Sequence, residues 1–150
     1  GKQKWNKSSF LASLETKLGK DLALVGSELV SWVETKVTRV WWGEGNIAAS
    51  FVAIQENDES KYHLFRLDDK GKLAIRLHNL KNKQPFDGEN SKVLLEQLNK
   101  IPSVDFSTEN LDGRATFEFA ILQDPDAMSQ FKSFCDWMIN AIKKESVKAP

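Results

Sequence analysis

The sequence predicts an α+β fold: an antiparallel meander of about four to five strands, packed by two N-terminal helices, a middle helix and a long C-terminal helix. Three observations carry this expectation. Apolar residues recur at three- and four-residue steps near both ends of the chain. Residues 38–80 are rich in β-branched and aromatic side chains. The polar breaks between those segments are too short for a parallel crossover, which needs a dozen or more residues.

Taken in order, Phe10, Leu11, Leu14 and Leu18 mark a first helix from Asn6 to Leu18. Asn6 or Ser8 suits its cap, and Gly19 suits the position just past its end. A second helix, Asp21 to Lys36, carries Leu22, Val25, Leu29, Trp32 and Val33 on one stripe, and a link at Gly19-Lys20 makes the two helices antiparallel. Strands are expected at Thr38–Trp42, Ile47–Gln55, Lys61–Leu67 and Lys72–Leu80. Gly43-Glu44-Gly45-Asn46 reads as a hairpin turn in which glycine and asparagine supply positive φ. The third helix spans Asn90 to Lys100 and carries Val93, Leu94 and Leu98, with Ile101 following and Pro102 as its stop. Arg114–Leu122 alternates Ala115, Phe117 and Phe119 against polar or small residues and reads as a fifth strand. The last helix begins with Asp124 as cap and Pro125 in the first turn, and Met128, Phe131, Cys135, Met138 and Ile142 form its buried stripe. Glu145 to Pro150 is expected to fray into a flexible tail.

Residues 1–150 are thus read as a single domain, long enough to bury a core without disulfides. The start Gly1-Lys2-Gln3, without a methionine, is the pattern of a module cut from a longer protein. Twenty-one basic residues balance 21 acidic ones, so no global field draws in nucleic acid or anionic lipid, and such binding needs a local patch. A single cysteine, Cys135, excludes an internal disulfide and a cysteine zinc site, which fits a reducing, cytoplasmic setting. No apolar run reaches membrane-spanning length, and no membrane partner is expected.

Catalytic constellations are hard to find. His63 and His78 fall on neighbouring predicted strands, but a metal would still need a third ligand, and exposed strand histidines are the simpler reading. Cys135 sits among Phe131, Phe134 and Met138, where a thiol is a core residue rather than a nucleophile. Glu34-Thr35-Lys36 and Glu59-Ser60-Lys61 match the acid-x-lysine half of a metal-dependent nuclease site. They fall at a helix end and in a turn, outside the required strand setting. Gly43-Glu44-Gly45 leads into a strand and offers no helix N-terminus to a phosphate. No catalytic residue, metal or cofactor is therefore assigned.

What remains is a surface. Between Lys70 and Pro85 five basic residues and His78 occur with no acid. On a strand, Lys72, Arg76 and His78 share one face, with Lys81 and Lys83 beyond them. Such a stripe can follow a phosphate backbone, with a tryptophan nearby for stacking. It also fits a solvated outer face of a half-buried sheet. Strand alternation sends Trp41 and Trp42 to opposite faces, one to the helix-covered core and the other to the opposite face. The candidate nucleic-acid-binding residues are Lys72, Arg76, His78, Lys81, Lys83, Trp41 and Trp42. The partner expected is DNA or RNA, the alternative being other domains of a parent protein in an interaction or assembly role.

Several segments taken together also resemble a poorly characterised bacterial module found as a C-terminal accessory part of nuclease- or restriction-associated, defence-type proteins. The resemblance rests on Trp41-Trp42-Gly43-Glu44-Gly45 with Ser50-Phe51, Leu64-Phe65, Gly71 with Leu73, Ile75 and Leu77, and Lys83-Gln84-Pro85-Phe86. Leu94-Leu95, Leu98-Asn99-Lys100-Ile101-Pro102, Phe131 and Asp136-Trp137-Met138-Ile139 extend it. It covers Trp5 to Ile142 and consists of structural residues. What it implies is an accessory role in DNA recognition or assembly, and it carries no functional residue with it.

Overall fold

Five strands form one antiparallel sheet in the order β1-β2-β3-β4-β5, a simple meander: β1 Arg39–Trp42, β2 Ser50–Glu56, β3 Lys61–Asp68, β4 Lys72–Ile75 and β5 Ala115–Glu118. The structure, a computed structural model, describes residues 4–45 and 48–148. Helices α1 (Lys7–Leu18), α2 (Lys20–Lys36), α3 (Leu77–Leu80), α4 (Asn90–Leu98) and α5 (Pro125–Lys148) complete the α+β fold that the sequence predicts.

The helix ends follow their caps. Asn6 accepts from the Ser9 amide at 2.9 Å while Ser9 Oγ accepts from the Asn6 amide, so two otherwise orphaned donors are satisfied reciprocally. Gly19, at φ +95°, ends α1 in a conformation a β-carbon disfavours and starts α2 at once. The Lys7–Glu34 ion pair, 2.8 Å, joins the start of α1 to the end of α2, as antiparallel packing of the two helices allows. In α5, the Asp124 carboxylate accepts from the Asp126 amide at 3.1 Å, as a cap should.

The core lies between the sheet and these helices. Phe51, Ala53, Leu64, Leu67, Leu73, Ile75, Ala115 and Phe117 bury the inner side of the strands. Rings run through it in edge contact, Phe10 on Phe51, Phe51 on Phe65 and Phe65 on Phe131, with centroids 5.0–5.8 Å apart. Each such buried side chain stabilises the fold by about 1.5–3 kcal/mol. Trp42 joins this cluster through Phe10 and Phe51.

One buried polar group ties the layers together. Asp69, fully buried, accepts from Ser13 Oγ at 2.6 Å, Lys17 Nζ at 2.7 Å and the Ala49 amide at 3.1 Å. Burial alone raises a carboxyl pKa, but these hydrogen bonds and the Lys17 charge outweigh it and hold Asp69 below its ordinary range. Asp69 falls in the polar break between β3 and β4, where local pattern gives no sign of this role.

Four boundaries differ from expectation. β4 stops at Ile75 because Arg76 leaves the strand at φ −85°, ψ 75°, and α3 then buries both Leu77 and Leu80. His78 therefore sits on a helix and not on a strand beside Arg76. β5 stops at Glu118, where a 3-10 turn buries Phe119 and Leu122. β2 starts at Ser50 and not at Ile47, so β1 and β2 are joined by residues 43–49 rather than a four-residue turn. Gly45 has the expected positive φ, +147°, whereas Asn46 lies outside the described residues. Finally, α5 continues through Lys148, past the expected fraying point at Glu145.

Candidate functional site

The sheet has a second face, and the helix-covered core does not use it. In register, Trp41 stands opposite Val52, Val52 opposite Arg66, and Arg66 opposite Ala74. One rung along, Arg39 stands opposite Ile54 and Ile54 opposite His63. Ile75 pairs with Ala115 at one end of the β4–β5 ladder, and Arg76 and Arg114 are the residues just beyond it.

A bulge makes the second rung possible. Between Ala53 and Ile54 the pairing shifts by one residue, so that Leu64 and Phe65 both turn inward. Strict alternation from Arg66 would put Tyr62 and Leu64 outward and bury His63 and Lys61. The extra residue reverses this and delivers His63 and Lys61 to the same face as Arg66.

These residues line a cleft of about 660 Å³: Arg39, Trp41, Lys61, His63, Arg66, Arg76 and Arg114 around a floor that includes Val52, Ile54 and Ala74. The floor residues are at most 9% exposed, shielded by the long side chains around them. Trp41 is 45% exposed, whereas Trp5, Trp32, Trp42 and Trp137 pack against the core.

The arginines are concentrated in one place. The chain has four arginines, and all four line this one cleft. Several lysines elsewhere form ion pairs that tie elements together, such as Lys7–Glu34, Lys17–Asp69, Lys36–Asp136 and Lys132–Glu28. Two of the arginines are ion-paired, Arg39 with Glu56 at 3.9 Å and Arg66 with Asp68 at 3.7 Å. Arg76 and Arg114 make no ion pair among the described residues, and Arg76 Nε is buried without an acceptor. Guanidinium groups are planar forks suited to bidentate contact with phosphate or carboxylate, and they stack on flat rings. Burial, followed by the charges of Arg76, Lys83 and Lys61, lowers the His63 pKa from its ordinary 6.5. The ring is therefore neutral at neutral pH, with one nitrogen donating and one accepting.

Of the residues singled out from sequence, Arg76 and Trp41 belong to the cleft. Lys72 is on the same side of β4 but two residues before the floor, ion-paired to Glu118. Lys81 is paired to Asp112, and His78 Nδ1 lies 2.9 Å from the Gly113 carbonyl oxygen. Lys83 Nζ donates to Ser60 Oγ and the Lys61 carbonyl while lying 5.3 Å from the Tyr62 ring centre. Lys83 borders only a smaller recess, about 150 Å³, that shares Lys61 and His63 with the main cleft. Trp42 turns to the core. Sequence reasoning missed Arg39, Lys61, Arg66 and Arg114, and it weighed His63 only as a metal ligand. Two signals were available: the scarcity of arginine, and the apolar doublet Leu64-Phe65 that marks the bulge.

Among the described residues no group of three or more His, Cys, Asp and Glu side chains is placed to hold a metal ion. Likewise no helix among them is long and apolar enough to cross a membrane. What this arrangement can do is bind: an apolar floor receives a flat or apolar group, and the guanidinium rim receives an anion beside it. No family model, curated protein or solved structure matches the chain.

Proposed function

We propose that the chain is a non-catalytic accessory module that binds nucleic acid on the open face of its sheet. The observation that carries this reading is the gathering of all four arginines of an electroneutral chain in one cleft, beside its one exposed tryptophan. A local cationic patch supplies the phosphate attraction that the net charge cannot. The likeness to accessory modules of nuclease- and restriction-associated proteins is consistent with such a role and belongs to the same proposal.

Titration of labelled DNA and RNA at low and moderate salt tests it. Binding is expected at low salt, with log K falling against log salt at a slope of about −3 for four neutralised phosphates on a single strand. The double variant Arg76→Glu/Arg114→Glu is expected to abolish it, whereas Lys72→Glu/Lys81→Glu leaves most of it. No binding at low salt, or binding indifferent to the arginine reversal, sinks the proposal. An acidic segment of a parent protein is the competing ligand for the same guanidinium groups. Capture of that segment, with no nucleic acid bound, decides for it.

A further inference from the structure

Resting on that reading, we infer that the ligand is single-stranded, with an unpaired base held against Trp41 and the Val52–Ile54 floor while its phosphates lie along Arg66, Arg76 and Arg114. Arg39 shares a strand with Trp41, while the other three arginines lie across the sheet from it. Trp41 is on the edge strand β1, while Arg66, Arg76 and Arg114 are on or next to β3, β4 and β5. At about 4.8 Å per strand these three arginines lie roughly 10–19 Å from Trp41, a length that a few nucleotides of one flexible strand bridge.

A duplex cannot use this geometry. Its bases are stacked inside, and their edges are reached by a helix or ribbon that enters a groove. Here the face is the floor of a cleft, and no element projects from it. A duplex would touch only the rim arginines and leave the apolar floor and the exposed Trp41 ring unused. An unpaired base uses both: its ring stacks on the indole, its edge meets the neutral imidazole of His63, and its backbone meets the guanidinium forks.

Fluorescence anisotropy with labelled mixed-sequence strands of about ten nucleotides, as DNA and as RNA, each against its own duplex, provides the test. Both single strands are expected to bind at least tenfold more tightly than their duplexes, the ratio between them reporting whether the sugar 2′-hydroxyl is read. Trp41→Ala is expected to weaken single-strand binding about tenfold or more, and Trp41→Phe to restore most of it. A thermal melt shows that both variants fold. Equal or tighter duplex binding, or a single-strand affinity that ignores Trp41→Ala, overturns this inference while leaving nucleic-acid binding intact. If no strand and no duplex binds, the broader proposal falls with it.

Discussion

The two faces of this sheet are made by the same five strands and alternate residues, yet they are built on opposite rules. On the inner face Phe51, Phe65 and Phe117 meet rings from α1 and α5, and one oxygen of the buried Asp69 carboxylate is bonded to Ser13, Lys17 and Ala49. On the outer face a mostly buried floor is ringed by cations, of which Arg76 and Arg114 have no ion-pair partner among the described residues. Stability is therefore concentrated on one side, and unspent binding capacity on the other. Like charges gathered without acceptors cost the folded state free energy, which is the pattern expected where a ligand supplies the missing partner.

Substitutions that respect this division sharpen it. The largest effect belongs to the inner face: Phe51→Ala is expected to destabilise by about 3–5 kcal/mol, read as a lowered midpoint in urea, because Phe10, Trp42 and Phe65 all lose their ring contact with it. Trp41→Ala, one strand away on the other face, should cost less, about 1–2 kcal/mol, because nearly half of the side chain is already in water. Equal losses from the two would show that the outer face is also structural.

Asp69→Asn comes next, at about 1–3 kcal/mol, since it leaves Lys17 and Ser13 facing an uncharged amide. The sign with pH follows from its depressed pKa. Its contribution is fully present above the ordinary carboxyl value of 3.8 and is lost as pH falls below it. Acid titration of the wild type and the variant should therefore converge at low pH, and parallel curves would contradict the assignment.

Arg76→Met inverts the usual expectation. Removing a buried, unpartnered Nε and one of four clustered cations should leave stability unchanged or raise it by up to about 1 kcal/mol, while nucleic-acid affinity falls. A variant that melts well below the wild type would mean that Arg76 is a structural residue.

The smallest effect concerns His63. Its pKa is held below 6.5 by burial and by Arg76, Lys83 and Lys61, while the nearby carboxylates Glu56 and Asp68 are directed at Arg39 and Arg66. A bound phosphate opposes those charges and raises the pKa, so the complex holds more protons than the free protein. Affinity should then rise a few-fold as pH falls from about 7.5 to about 5.5, and His63→Gln should flatten that rise. Stability of the free protein moves the other way. It is unaffected by this group above 6.5 and declines below it, because the unfolded chain accepts the proton first.

How much of this was legible in the sequence depends on the range of the signal. The stripes of α1, α2 and α5 and the short turns of the meander are local patterns, and they predict the architecture. Local reading failed where tertiary contacts override pattern. The alternation of Leu73, Ile75 and Leu77 continues unbroken past the end of β4, yet burial of both Leu77 and Leu80 is better met by a helical turn. The site suffered more. A window from Lys70 to Pro85 contains Arg76 but not Arg39, Arg66 or Arg114, which only the strand order brings beside it. His63 was placed on its strand, but its face depends on a one-residue phase shift that only the doublet Leu64-Phe65 betrays. Acid-free stretches of lysine looked like a binding stripe, whereas Lys72 and Lys81 meet their acids from β5 and from residues 108–112, distant in sequence.

The confinement of arginine to one cleft also has a practical consequence. Isotope labelling restricted to arginine would give a spectrum of four side-chain signals, each arising from the same small region. Every one of them would report on occupancy, with no background from the rest of the molecule, and an arginine-selective dicarbonyl reagent would act as a footprint of that region alone. The amino-acid composition has, in effect, placed a set of spectroscopic probes where the chemistry of recognition is expected to occur.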